Sequence, residues 1–305
     1  PGRNSGKSGL GKPKNRPAAK PEGAEGVPQD QPVVLFAGSG VAGEGEFQPK
    51  EIPTQVDRAN DFQARYHTAS NGFNDAVLTP INIASYNQIA LQSTQDRHGS
   101  VDGFVAQRLG YNTPAALHDA FMGLQVDAVA QAIDNIERGR AIIIGDQTGV
   151  GKGRQAAGVI RYAIQQGKIP VFITQKANLF TDMYDDLGDI GVTGFKPLIV
   201  NQDNGFVSKG GEKLFNHGPN DRKKLLDTLR TTGRLPEGYG GLFLTYSQIS
   251  SDQQGEKTKL LSSIASNALF VMDESHSASG NSGVGESFQA LVDEAWGVTY
   301  LSATY

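Results

Sequence analysis

The sequence predicts an α/β fold: a parallel sheet covered by helices, with a helical lead-in and a disordered N-terminal tail. Short apolar runs alternate with helix-like stretches from residue 140 onward, the chain pattern of a parallel sheet with crossover helices. One run, Arg140 to Ile144, enters a glycine-rich turn that opens a helix. Another, Ala268 to Met272, ends on Asp273 and Glu274, and acids at the carboxyl end of a parallel strand stand where such sheets hold ligands.

The composition sets the outer limits. A chain of 305 residues has room for one or two domains of ~100–200 residues each. Apolar residues make up 38% and charged residues 20%, enough apolar surface for a sizeable core. There is no cysteine, which excludes disulfides and thiolate metal sites and fits a reducing compartment. No apolar run has the length of a membrane span and no signal-peptide pattern is present, so the expectation is a cytoplasmic protein of a bacterial or phage-infected cell, without a membrane partner. The first twenty residues hold six basic side chains and no acid. The remainder has 22 basic against 32 acidic residues, net −10, which excludes nucleic-acid binding by bulk charge and leaves only local contacts. The chain begins at Pro1, which suggests a fragment or a processed product.

In chain order, residues 1–31 are rich in Gly, Pro and Lys with almost nothing to bury, and read as a disordered basic linker. Residues 32–79 read as an irregular connector. Within it, Val33 to Gly40 looks like a strand entering a glycine turn, as in a methyltransferase cofactor site, but Gly43 to Pro53 offers no helix to complete it. Residues 80–139 form the helical lead-in. Val101, Phe104, Val105 and Leu109 share a face that Gly110 ends, Thr113 caps a helix with Pro114 in its first turn, and Val126, Val129, Ile133 and Ile136 make a stripe closed by Gly139.

Residues 140–305 form the ligand-binding lobe. After the Arg140 strand, further strands are expected at Ile169–Thr174, Pro197–Val200, Gly241–Thr245, Ala268–Met272 and Val298–Leu301, with helices between them. Ser208 to Lys213 reads as a solvated loop. Trp296 reads as packing ahead of the last strand, and the five histidines show no metal-ligand spacing.

The turn Thr148-Gly149-Val150-Gly151-Lys152-Gly153-Arg154 has the layout of a phosphate-binding loop. Its glycines let successive backbone N–H groups converge on one anion. The helix that follows adds its positive end, and Lys152 is placed as a point charge on terminal phosphates. Asp273 is then positioned to hold magnesium, directly or through water, and Glu274 to orient an attacking water.

Thr148-Gly149-Val150-Gly151-Lys152, Asp273-Glu274-Ser275-His276 and Ser302-Ala303-Thr304 resemble motifs I, II and III of superfamily-two helicases and translocases. The resemblance spans about residues 120–305 and is closest to the strawberry notch-type lobe, found also in large phage antirestriction helicase-like proteins. Gly151-Lys152-Gly153-Arg154 and the run from Gln175 through Asp182 to Asp185-Asp186-Leu187 fit that branch. The resemblance implies a RecA-like first motor lobe that binds ATP and Mg2+ and couples hydrolysis to movement on DNA, with RNA as the alternative polymer. It implies that Gln125 reads adenine and that His276, Ser302, Ala303 and Thr304 couple nucleotide state to movement. By the same analogy Gln175 and Lys176, and Thr245, Tyr246 and Ser247, face the nucleic-acid backbone.

Two departures stand out. Gly153 occupies the position where a Ser or Thr usually supplies magnesium's hydroxyl, so metal binding falls to Asp273, Thr148 or water. A second RecA-like lobe, expected to supply arginines to the transition state, is not in this chain. The alternatives are a P-loop NTPase that remodels protein, a small-molecule kinase, or a non-catalytic docking module of a larger phage-like protein.

Overall fold

The computed structural model describes residues 63–74, 78–146, 150–201, 207–209, 212–215, 217–250, 252, 255–275 and 290–302. The expected N-terminal linker and the Val33 to Gly40 segment lie outside them, as do Thr148, Gly149, His276, Ala303 and Thr304.

A short antiparallel pair, β1 (Gln63–Arg65) and β2 (Leu78–Pro80), opens the described chain where the sequence suggested an irregular connector. Four helices follow: α1 (Ile81–His98), α2 (Val101–Leu109), α3 (Pro114–His118) and α4 (Gly123–Glu137). Their ends follow local chemistry. The Ser100 and Thr113 side chains accept hydrogen bonds from the backbone of Gly103 and Ala116, and Gly110 closes α2 at φ 72°.

The main sheet then alternates with helices: β3 (Ile142–Ile144), α5 (Lys152–Gln165), β4 (Ile169–Thr174), α6 (Leu179–Asp189) and β5 (Pro197–Ile199). A small antiparallel pair comes next, β6 (Val207–Lys209) with β7 (Glu212–Leu214). The strands on either side of residues 210–211 therefore pair, where the sequence suggested only a loop. Then come α7 (Pro219–Thr232), β8 (Gly241–Thr245), α8 (Tyr246–Ser250), α9 (Glu256–Ile264), β9 (Ala268–Asp273), a helical stretch at 290–294 and β10 (Gly297–Leu301).

The six large-sheet strands run in the order β3-β10-β9-β4-β8-β5, and every neighbouring pair is parallel. This order explains why the strands read as unbroken apolar runs: both sheet faces are covered. Ile169, Val171 and Ile173 of β4 pack on one side with Leu229, Leu261 and Leu291, while Phe172 packs on the other with α4, α5 and α6. On that second side Phe243 lies 5.3 Å from Phe172, 5.6 Å from Phe180 and 5.7 Å from Phe195, ring centre to ring centre. Truncating so enclosed a ring costs about 3–5 kcal/mol.

Helix α5 lies tight against its neighbours because its inner face is small. Ala156, Ala157 and Ala163 are buried, and a Cβ at Gly158 would meet Val129 Cγ2 at 2.9 Å. That close crossing sets where the first turn of α5, and so Lys152, stands relative to the sheet.

Candidate functional site

The site lies at the carboxyl ends of β3, β9 and β4, the side of an open α/β sheet that holds ligands. Register brings these ends together. Leu301 of β10 is paired with Ile144 on one side and Asp273 on the other, and the Ser302 N–H donates to the Ile144 carbonyl at 3.1 Å. Thus the strand before the glycine-rich loop and the strand bearing the acids are separated by one strand, β10, which leads into Ser302.

Gly151 caps α5 with φ 85°, a left-handed conformation that favours glycine. A Cβ there would lie 2.3 Å from Gln125 Nε2. The Lys152 ammonium donates to the Asp146 carbonyl at 2.8 Å. Asp146 in turn accepts from Gln155 Nε2 at 2.6 Å. Burial raises the Asp146 carboxyl above its ordinary range, against the opposing Gln155 hydrogen bond and Lys152 charge.

Across the cavity, Asp273 Oδ2 accepts from the Thr174 hydroxyl at 3.0 Å. Burial also pushes Asp273 up, the Thr174 bond opposes this, and the Glu274 charge adds to it. Glu274 adopts φ 50°, a left-handed backbone that costs a non-glycine residue roughly 1–2 kcal/mol. The preceding carbonyl, of Asp273, is held by the Tyr246 hydroxyl at 3.0 Å. Tyr246 therefore braces the acidic turn from the end of β8, across β4.

Lys152, Gly153, Asp273 and Glu274 line one cavity of ≈ 270 Å³, together with Asp182 and Asp186 from α6. A second cavity, of ≈ 390 Å³, is lined by Gln125, Gly151, Arg154 and Phe73 and shares Asp186 with the first. Gln125 sits in the first turn of α4. Its Oε1 accepts from the Met122 N–H at 3.0 Å and its Nε2 donates to the Val150 carbonyl at 3.2 Å.

Of the residues proposed to face nucleic acid, Gln175, Lys176 and Ser247 are exposed, while Thr245 and Tyr246 are buried. Thr174 pairs with Thr245, so the two groups follow adjacent strand ends. The Thr245 hydroxyl accepts from Asn201 Nδ2 at 3.0 Å and lies 2.8 Å from Ser247 Oγ.

Two contributors were not legible as such in the sequence. Phe73 is 72% exposed and stands at the second cavity because the segment around it is pinned. Asp127 Oδ2 and Oδ1 accept from the N–H groups of Ala69 and Ser70, Asp102 accepts from Ser70 Oγ and the Asn71 N–H, and the Phe73 carbonyl accepts from the Gly123 N–H at 2.7 Å. The other is Asp186, whose carboxylate lies against Gly153. The only signal for it was the missing hydroxyl after Lys152, set beside an acid-rich helix.

A parallel sheet with a glycine-capped helix, a lysine in its first turn and an acidic strand end opposite defines a P-loop NTPase. The profile of the P-loop containing NTP hydrolase pore-1 family matches residues 115–298, more than half of the chain, and the chain belongs to that family. None of the curated proteins matches it. Among solved structures it is similar to the Sulfolobus solfataricus SWI2/SNF2 ATPase core in complex with dsDNA, at 14% identity and TM-score 0.40, covering 60% of this chain and 31% of that one. It is similar to the UvsW helicase from bacteriophage T4, at 17% identity and TM-score 0.39, over 59% of this chain and 51% of that one. It is also similar to the DUF1998 helicase MrfA, at 17% identity and TM-score 0.43, over 65% and 29%. The chain thus spans between about a third and half of the length of these structures. Among the described residues no helix is long and apolar enough to cross a membrane.

Proposed function

We propose that this chain is the ATP-binding first motor lobe of a nucleic-acid helicase or translocase, and that it works with a second RecA-like lobe. The observation that carries the reading is the single cavity lined by Lys152, Gly153, Asp273 and Glu274, built from strands whose ends register side by side.

The residues present fit a magnesium nucleotide: Lys152 and the half-buried carboxylate of Asp273 line one cavity, beside a loop whose Gly151 turn is left-handed. Lys152 would exchange the Asp146 carbonyl for terminal phosphate oxygens, a charge-assisted contact stronger than the one it gives up. Asp273, held by Thr174, would take the cation directly or through water. Bound magnesium supplies neutralisation of charge on the phosphate oxygens. Glu274 would orient the attacking water, with its backbone fixed through Tyr246. Gln125 would read the adenine edge and Phe73 would stack on its face, in the second cavity.

Gln175, Lys176 and Ser247, exposed beyond adjacent strand ends, are the groups we assign to the nucleic-acid backbone. The motif resemblance, including Ser302 beside both catalytic strands, favours a motor over a kinase or a docking module. The strawberry notch-type placement and a role against restriction rest on the Gly153-Arg154 departure and the Asp182 to Leu187 run alone. The deciding measurement is ATP turnover with and without DNA or RNA, in this chain and in a longer one carrying a second lobe. Stimulation by nucleic acid in the two-lobe protein, with slow turnover in this chain, is the expected outcome. Fast turnover by this chain alone, indifferent to DNA and RNA, would rule the motor reading out.

A further inference from the structure

The position after the loop lysine usually carries the hydroxyl that reaches the cation, and here it is Gly153. The structure shows what stands in its place. A Cβ built on Gly153 would lie 2.3 Å from Asp186 Oδ2 and 3.5 Å from its Cγ. A carboxylate oxygen from α6 therefore occupies the space that a side chain at 153 would need. A side chain at 153 would have to displace that carboxylate.

Asp186 is also aimed. Its Oδ1 accepts from Arg154 Nε at 3.1 Å, and Arg154 Nη2 reaches Asp189 at 2.7 Å. Arg154 follows Gly153 in the first turn of α5, so the ion pair ties α6 to that turn and sets the rotation of the carboxylate. Oδ2 is left against Gly153, and Asp186 lines the cavity shared by Lys152, Asp273 and Glu274. Carboxylate oxygen is a preferred magnesium donor, and a site for that ion uses one or two carboxylates beside phosphates and waters.

We propose that Asp186 supplies, from α6, the oxygen that the cation would otherwise take from residue 153, with Arg154 as its positioning residue. The assignment rests on the reading of this cavity as a magnesium–nucleotide site. It gives the Gly-Lys-Gly-Arg sequence a physical purpose: the glycine makes room and the arginine orients the replacement. It also makes the cation's environment depend on where α6 sits.

The test is the gain in affinity that Mg2+ confers on a non-hydrolysable ATP analogue, measured by calorimetry on the 305-residue chain. Four proteins are compared: the parent, Asp186→Ala, Gly153→Ser and the double variant, each checked for folding by circular dichroism. Asp186→Ala should cut the magnesium gain by roughly 10–100-fold, the range for removing a group that supports a metal site. Gly153→Ser alone should also lose it, because serine meets the carboxylate. The double variant should regain it, because the usual hydroxyl then has room. If Asp186→Ala does not fold, Asp186→Asn, similar in shape but uncharged, is read the same way. A full magnesium gain in the Asp186 variants overturns the assignment while leaving the nucleotide site intact. A double variant no better than Asp186→Ala shows that Asp186 acts only by holding Arg154, and also overturns it. Failure of the parent to bind the analogue removes the nucleotide reading itself, and this assignment with it.

Discussion

Gln125 Nε2 donates to the Val150 carbonyl at 3.2 Å, fastening the first turn of a lead-in helix to the phosphate loop. The same amide accepts from Met122 through Oε1, so its rotation is fixed before any ligand arrives. The bond also accounts for Gly151, whose missing Cβ leaves room for the amide. On the proposed reading, one side chain thereby joins the group assigned to the base and the loop assigned to the phosphates.

This linkage separates two kinds of affinity loss. Phe73→Ala should weaken ATP by about 5–150-fold, from the 1–3 kcal/mol typical of stacking a base on an aromatic ring. Inorganic tripolyphosphate should be unaffected. Gln125→Ala should weaken both, because the loop loses its tether. Competition against a fluorescent nucleotide gives both affinities, and an equal loss of tripolyphosphate in Phe73→Ala would remove the stacking role.

On the proposed reading, Lys152→Ala removes the charge facing the terminal phosphates and Asp273→Ala removes a cation partner. Nucleotide affinity should fall in the first by on the order of tenfold or more, as for a hydrogen bond to a charged group. In the second, magnesium should lose most of its effect on binding. Calorimetry with and without magnesium distinguishes the two. Parent-like binding by both variants would place the site elsewhere.

Glu274→Gln keeps the shape and removes the charge. Binding should survive, and turnover in a two-lobe protein with DNA should drop by on the order of 10²–10⁴, the range for a lost general base. Tyr246→Phe should lower turnover less, since it frees the carbonyl that holds the Glu274 turn without removing the acid. Affinity and phosphate release are measured side by side. Loss of binding in step with turnover in Glu274→Gln would make that residue a structural or metal-holding one.

Asp127 carries a pH signature. It is fully buried, and burial raises its carboxyl to about 6 despite hydrogen bonds from Ala69, Ser70 and Tyr66. A folded-state value above the unfolded one means the folded protein holds its proton longer. This group's contribution therefore falls as pH rises from about 4 to about 6 and stays low above that. Parent stability should lose roughly 2–3 kcal/mol relative to Asp127→Asn across that window, at about 1.4 kcal/mol per unit. Urea melts at pH 4, 5, 6 and 7 test this. A constant difference between the two proteins would show that Asp127 does not titrate there.

Local pattern made most of the elements legible. β4 and β8 fall on the residues that their apolar runs indicate, and Thr113 and Gly110 cap helices as their chemistry suggests. These features depend on neighbours a few residues apart, and side-chain period and capping are written at that range. The pairings β1 with β2 and β6 with β7 escaped notice because three-residue strands are too short to show a period.

The sequence by itself determined that a parallel sheet forms, that a glycine-rich loop opens a helix at Lys152, and that Asp273 and Glu274 end a strand. Tertiary structure alone decided the strand order β3-β10-β9-β4-β8-β5 and, with it, which motifs share a cavity. It placed Phe73 near Gln125, Thr174 on Asp273 across 99 residues of chain, and Asp186 against Gly153. The physical reason is range. An apolar run states that a strand will be buried, but its partner is chosen by closure of long loops and the packing of whole faces, and neither leaves a mark on the residues nearby.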